Sequence, residues 1–127
     1  MHGWIPCKKI LEVTDLFGDD HYQYEFDNNW RIGNWDDASW LNGMDCWQKG
    51  IRVPDKTVVC GHFHSSWGHS KIHHDGIEFP ETVHNLLNWK TTAFKDNGIV
   101  CLDACTAISH RVNCLKLFKQ KNLSVQE

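Results

Sequence analysis

The chain has 127 residues and a mass of 14.8 kDa, one domain's worth of sequence. It is 41% hydrophobic and 12% aromatic, with 7 Trp, which excludes a disordered segment too poor in apolar side chains to form a core. Lys and Arg number 13 against 16 Asp and Glu, so no basic excess recommends nucleic acid as a partner.

The start, MHGWIPCKKI, carries no apolar h-region of the secretory kind. The longest apolar stretch, residues 98–108, is broken by Asp103 and is too short to span a bilayer. Both features predict a cytoplasmic protein without membrane contact. The 6 cysteines are then expected as reduced, mostly buried thiols. No Cys-x2-Cys pair supports a ribbon-type zinc site.

Residues 1–33 show no sustained period and read as irregular structure with at most one short helix. Residues 34–49 read as one helix. Asn34 is its N-cap, Asp36 and Asp37 suit the positive end of its dipole, and Gly50 ends it. Trp40, Leu41, Met44 and Trp47 then form an apolar stripe, with Gly43 marking close packing. Pro54-Asp55-Lys56 is a turn, and the β-branched run at 57–60 is a short buried strand. The polar stretch 61–76 reads as a loop, and 77–97 fits either helix or loop. Residues 99–103 and 112–117 predict a closing antiparallel strand pair, followed by a flexible tail at 119–127. The fold class expected is α/β (α+β).

Nine histidines are an excess, and His62, His64, His69, His73 and His74 crowd one stretch. Neutral imidazole is a common metal ligand, so the crowding raises the question of a metal. The sharpest feature is VVCGHFHSS, a strand, a glycine and His-x-His. In extended backbone, side chains two apart point the same way, so His62 and His64 can converge. The same two residues suit a plain surface loop. Cys60, His62 and His64 share one parity and could also hold a single zinc. His69, His73 and His74 read as solvated loop residues. Asp103 reads as a buried, hydrogen-bonded structural carboxylate, and Trp30, Trp35, Trp40 and Trp47 as packing residues.

VVCGHFHSSWGH resembles the Gly-His-x-His motif of calcineurin-like metallophosphoesterases, the family of bacterial Ser/Thr protein phosphatases. His2-Gly3-Trp4-Ile5-Pro6 is similar to the family's upstream His-Gly motif. Residues 35–44 and 98–117 are similar to the segment between the two motifs and to the C-terminal strand pair. The resemblance covers residues 2–118 and implies part of a four-layer α/β/β/α sandwich. It also implies metal ligation by His2, His62 and His64, the first two on one ion and His64 on its neighbour. The complete family site holds two divalent ions, such as Mn, Fe or Zn, that clamp a phosphoryl group and generate a hydroxide nucleophile. The implied substrate is a phosphoprotein or a small phosphomonoester.

The family's Asp-x-His, bridging-Asp and Gly-Asn-His motifs do not occur ahead of His2, and no residue is assigned a catalytic role. Three imidazoles cannot hold two divalent ions against their mutual repulsion, so one ion or none is expected here. The implied entity is a domain fragment, residues 1–118, inactive alone and prone to self-association through an uncovered sheet face. The alternative is a non-catalytic domain that binds one metal or a partner protein.

Overall fold

The computed structural model describes residues 3–76 and 90–117. The ambiguous segment, through residue 89, and the tail at 119–127 lie outside the described residues, as does His2. Within them the chain is mixed α and β, with a two-stranded and a three-stranded sheet.

The N-terminal third is more regular than its sequence suggested. Strand β1 (Lys8–Thr14) pairs antiparallel with β2 (Asp20–Glu25), with a register shift between Leu11 and Val13. The turn between them is built by Asp15, whose carboxylate accepts from the backbone N–H groups of Phe17 (2.9 Å) and Asp19 (3.0 Å). Gly18 supplies the left-handed φ of 82° that the turn requires. Every residue of β1 is exposed, so neither face acquires the apolar-in, polar-out alternation that marks a half-buried strand.

The single helix expected at 34–49 is two. In α1 (Trp35–Ala38) the Asn34 side chain accepts from the Asp37 N–H at 3.1 Å, the cap the sequence promised. A second cap follows one helix later: Asn42 accepts from Met44 (3.1 Å) and Asp45 (3.3 Å) and starts α2 (Gly43–Gln48). A second capping asparagine restarts the helix, because its side chain satisfies N–H groups that a continuous helix would bond to the preceding turn. The expected stripe therefore splits. Met44 and Trp47 are buried, while Trp40 is 68% exposed and no core residue. Trp35 is also exposed.

Strand β3 (Val58–Cys60) follows the Pro54-Asp55 turn, as expected, and lies parallel to β5 (Ile99–Cys101). The antiparallel partner of β5 is β4 (Phe94–Asp96), joined to it through Asn97-Gly98, where Gly98 has φ 89°. Of the two loop residues only Gly98 takes a positive φ, which a glycine adopts without steric cost. The predicted pairing of 99–103 with 112–117 is thus replaced: residues 111–117 carry no strand. Asn113 instead ties that segment down, its amide donating to the carbonyls of Thr91 (2.6 Å) and Leu102 (3.2 Å). The stretch expected as a loop contains α3 (Ser65–Lys71), and α4 (Thr106–Ser109) is a single turn.

The core gathers around β5. Trp4, Ile5, Met44, Trp47, Ile51, Phe94 and Ile99 form one buried cluster with Val58, Cys60 and Cys101. The Trp4 indole N–H donates to the Ile51 carbonyl at 3.0 Å, and that of Trp47 to the Asn97 carbonyl at 2.8 Å. A buried indole thus keeps its one donor satisfied while its rings fill the interior.

Candidate functional site

Parallel strands end with their carbonyls on the same edge, and loops leaving that edge are where open α/β sheets place ligands. β3 and β5 end side by side, Cys60 opposite Cys101, and the Leu102 N–H extends the ladder to the Cys60 carbonyl at 3.0 Å. An open hollow of about 450 Å³ lies beyond, lined by Gly61, His62, Asp103, Thr106 and Asn113 among others.

The two loops at this edge are fastened to each other. The Ser65 N–H, at the start of α3, donates to the Asp103 carbonyl at 2.7 Å. The Asp103 carboxylate accepts from the Cys105 N–H at 2.9 Å, holding Cys105 at a left-handed φ of 54°. Asp103 therefore has the hydrogen bonds expected of it, but it is half-buried rather than buried and borders the hollow.

His62 holds φ at 71°, and the Phe63 N–H bonds back to the Gly61 carbonyl at 2.9 Å. The tight turn is therefore centred on the histidine, where a side chain costs strain, and not on Gly61. This overturns the extended-backbone argument for aligning His62 with His64, because a left-handed residue intervenes. His62 packs edge-on against Trp40, ring centroids 5.3 Å apart, and against Phe63 at 5.1 Å. His64 occupies the N-cap position of α3 in extended conformation, and its ring makes no capping hydrogen bond. Both histidines are half-buried.

The N-terminal motif reaches the same edge. The Trp4 N–H donates to the Ala38 carbonyl at 2.9 Å. A methyl group placed on Gly3 would fall 2.5 Å from the carbonyl oxygens of both Ala38 and Ser39. One placed on Gly43 would meet Cys60 Sγ at 2.9 Å and the Gly3 carbonyl oxygen at 3.1 Å, so these two atoms flank one point. Gly3, the α1–α2 connection and the end of β3 therefore meet, with Trp40 linking that connection to His62. The close packing expected at Gly43 is present, and its cause is this meeting.

The single-zinc alternative finds no support among the described residues. Among the described residues no three His, Cys, Asp or Glu side chains are grouped to hold an ion. The Cys60 thiol is buried, and its hydrogen bond to Cys101, with burial, pushes its pKa up and disfavours the thiolate a metal needs.

The chain matches no family model, no curated protein and no solved structure.

Two histidines read as solvated have structural partners. His73 Nε2 lies 2.8 Å from the Asp96 carboxylate, whose pKa it lowers; His74 remains exposed. His69 is 5% exposed, and its Nε2–H donates to the Thr92 carbonyl at 2.8 Å. Its Nδ1 is buried with no partner among the described residues. Burial holds the His69 pKa below its ordinary 6.5. The sequence signal missed here was helical: His69 follows Ser65 and Ser66 onto the buried side of α3.

A base whose pKa is depressed by folding is protonated more readily in the unfolded chain. The stability of the neutral fold is complete above pH 6.5 and declines as pH falls below it. The urea midpoint should drop as pH falls below 6.5. His69→Gln should be less stable at pH 8 but show a shallower acid decline. An unchanged slope in the variant would assign the decline to other groups.

Proposed function

We propose that the chain is the C-terminal portion of a metal-dependent phosphoesterase of Ser/Thr phosphatase type, built on a larger α/β/β/α sandwich. Its complete site would hydrolyse phosphomonoesters of proteins or small molecules. The observation that carries this reading is the meeting of Gly3, Trp40 and the loop after β3 at one carboxyl edge. It gives the His-Gly and Gly-His-x-His motifs a common location. His2, His62 and His64 are the proposed ligands of divalent Mn, Fe or Zn. The described residues do not assemble an ion site by themselves, so His62 and His64 serve as donors to a set completed by other groups. Six free thiols support a reducing, cytoplasmic setting.

Calorimetric titration with Mn tests the ligand assignment. Weak binding that disappears in both His62→Ala and His64→Ala is expected, together with little or no hydrolysis of p-nitrophenyl phosphate. Binding that survives both substitutions would remove the basis of the reading. One tightly bound ion per chain without turnover would favour a non-catalytic metal-binding domain.

A second reading, a protein-interaction role including self-association, is favoured by the β1–β2 hairpin. Leu16 and Phe17 at its tip are 102% and 92% exposed, and Ile10, Leu11 and Val13 are exposed beside them. Large apolar side chains exposed together on one hairpin fit a contact surface. Sedimentation at tens of micromolar should give a mass above the monomer, and Leu16→Asp with Phe17→Asp should lower it. A wild-type chain that sediments as a monomer would dismiss this face.

A further inference from the structure

We infer that the hollow bordered by Lys9, Asp37 and Trp40 is a base-binding subsite for guanine. The substrate class is then a guanosine monophosphate, its phosphoryl group at the loop of His62 and His64. The base subsite stands by itself, and the place given to the phosphoryl group rests on the phosphoesterase reading.

The hollow has a volume of about 330 Å³ and is lined by Lys9 of β1, Tyr24 of β2, Asn34 and Asp37 at α1, and Trp40. Small-molecule pockets run from about 300 to 1,000 Å³, so this one has room for a nucleoside and little more. Trp40 marks it as a site. The indole is 68% exposed, although its large apolar area would favour burial. A rigid π-face left to water at the rim of a hollow is a stacking platform, and every nucleobase has a π-face to lay on it.

Trp40 also connects the hollow to the histidine loop. Its ring meets that of His62 with centroids 5.3 Å apart and planes at 85°. A perpendicular contact of this kind occupies at most one face of the indole. One side chain therefore borders both places, and a nucleotide with its base on Trp40 can set its phosphoryl group at the histidines.

The polar groups of the hollow choose the base. Asp37 is exposed, and its carboxylate offers two acceptor oxygens side by side. The Asn34 carbonyl is already engaged by the Asp37 N–H at 3.1 Å, so the carboxylate is the acceptor left to a ligand on α1. Guanine presents two adjacent N–H donors, on N1 and N2, that match a carboxylate. Adenine and cytosine place an acceptor nitrogen beside their amino group, which a carboxylate repels. The Lys9 ammonium lies over the Tyr22 ring, 4.0 Å from its centroid. That contact is electrostatic and leaves ammonium hydrogens for the guanine O6 acceptor.

The test is calorimetric titration of the wild-type chain with guanosine, adenosine and, in the presence of Mn, guanosine 5′-monophosphate. Guanosine should bind about tenfold or more tightly than adenosine, because adenine leaves the carboxylate facing an acceptor. Trp40→Ala should weaken guanosine about five- to 150-fold, the worth of one base–aromatic stack. Asp37→Asn should bring guanosine and adenosine close to equal affinity. Both side chains are exposed, so far-UV circular dichroism should show both variants folded. The monophosphate should bind more tightly than guanosine, and the gain should vanish in His62→Ala. No binding of guanosine, equal binding of the two nucleosides by the wild type, or an affinity unchanged in Trp40→Ala would each overturn the base subsite. Guanosine binding that depends on Trp40 and Asp37, with no gain from the phosphate, would uphold the subsite and count against the phosphoesterase reading.

Discussion

Trp4→Ala should cost about 3–5 kcal/mol of folding stability, the range for truncating a large buried aromatic. Trp4 is 1% exposed, and its indole reaches across the core to the Ile51 carbonyl. Truncation removes the apolar contacts, leaves a cavity too deep for the surrounding core to fill, and orphans a buried acceptor. Against a total of about 5–15 kcal/mol for a typical domain, the loss is large enough to leave the variant partly unfolded at room temperature. Urea unfolding followed by far-UV circular dichroism reads it directly. Trp40→Ala is the natural comparison, because Trp40 is 68% exposed and its removal should cost less than about 1 kcal/mol. Similar losses in the two variants would mean that Trp4 is not a core residue.

The contrast between these two tryptophans shows how much the sequence disclosed. Residue type and spacing placed both on an apolar stripe or a motif, yet nothing local distinguished the buried one. Asn34 was legible as a cap because its effect reaches only three residues. Asn42 was hidden by the apolar spacing that runs across it, although it uses the same chemistry. The β-branched run of β3 was legible because a strand buried on both faces needs no alternation. The β1–β2 hairpin was not, since its exposed faces impose no pattern. The partner of β5 depends on which strand lies adjacent in space, and the polar residues of β4 gave no warning.

The candidate site divides in the same way. The strand-glycine-histidine order placed His62 and His64 at a strand's carboxyl end, and the hollow is there. The left-handed conformation at His62 was invisible, because histidine tolerates it far less readily than the neighbouring glycine. The burial of His69 was equally hidden, since it arises from the packing of α3 against Phe94, with ring centroids 5.8 Å apart.

That packing sets the second large effect, at Gly68. A methyl group there would fall 2.5 Å from Met44 Sδ and 2.6 Å from a ring carbon of Phe94, both fully buried. Two effects compete. Replacing a helical glycine adds up to about 1 kcal/mol of propensity with Ala and less with the β-branched Val. Overpacking a filled core costs about 1–3 kcal/mol, more when neighbours cannot move. Gly68→Val inserts three carbons where one already collides, so the clash should win by about 2 kcal/mol or more. Phe94 is held between α3 and Trp47, whereas Met44 is an unbranched chain that shortening would withdraw from the collision. Met44→Ala alone should destabilise by about 2–5 kcal/mol through its cavity. The double variant should be more stable than the sum of the single losses predicts, by about 1 kcal/mol or more, because the introduced isopropyl group would fill part of the space vacated. Strict additivity across the four chains of that cycle would show that Gly68 and Met44 do not compete for one volume. The approach of α2 to α3, which positions the loop of His62 and His64, would then need another explanation.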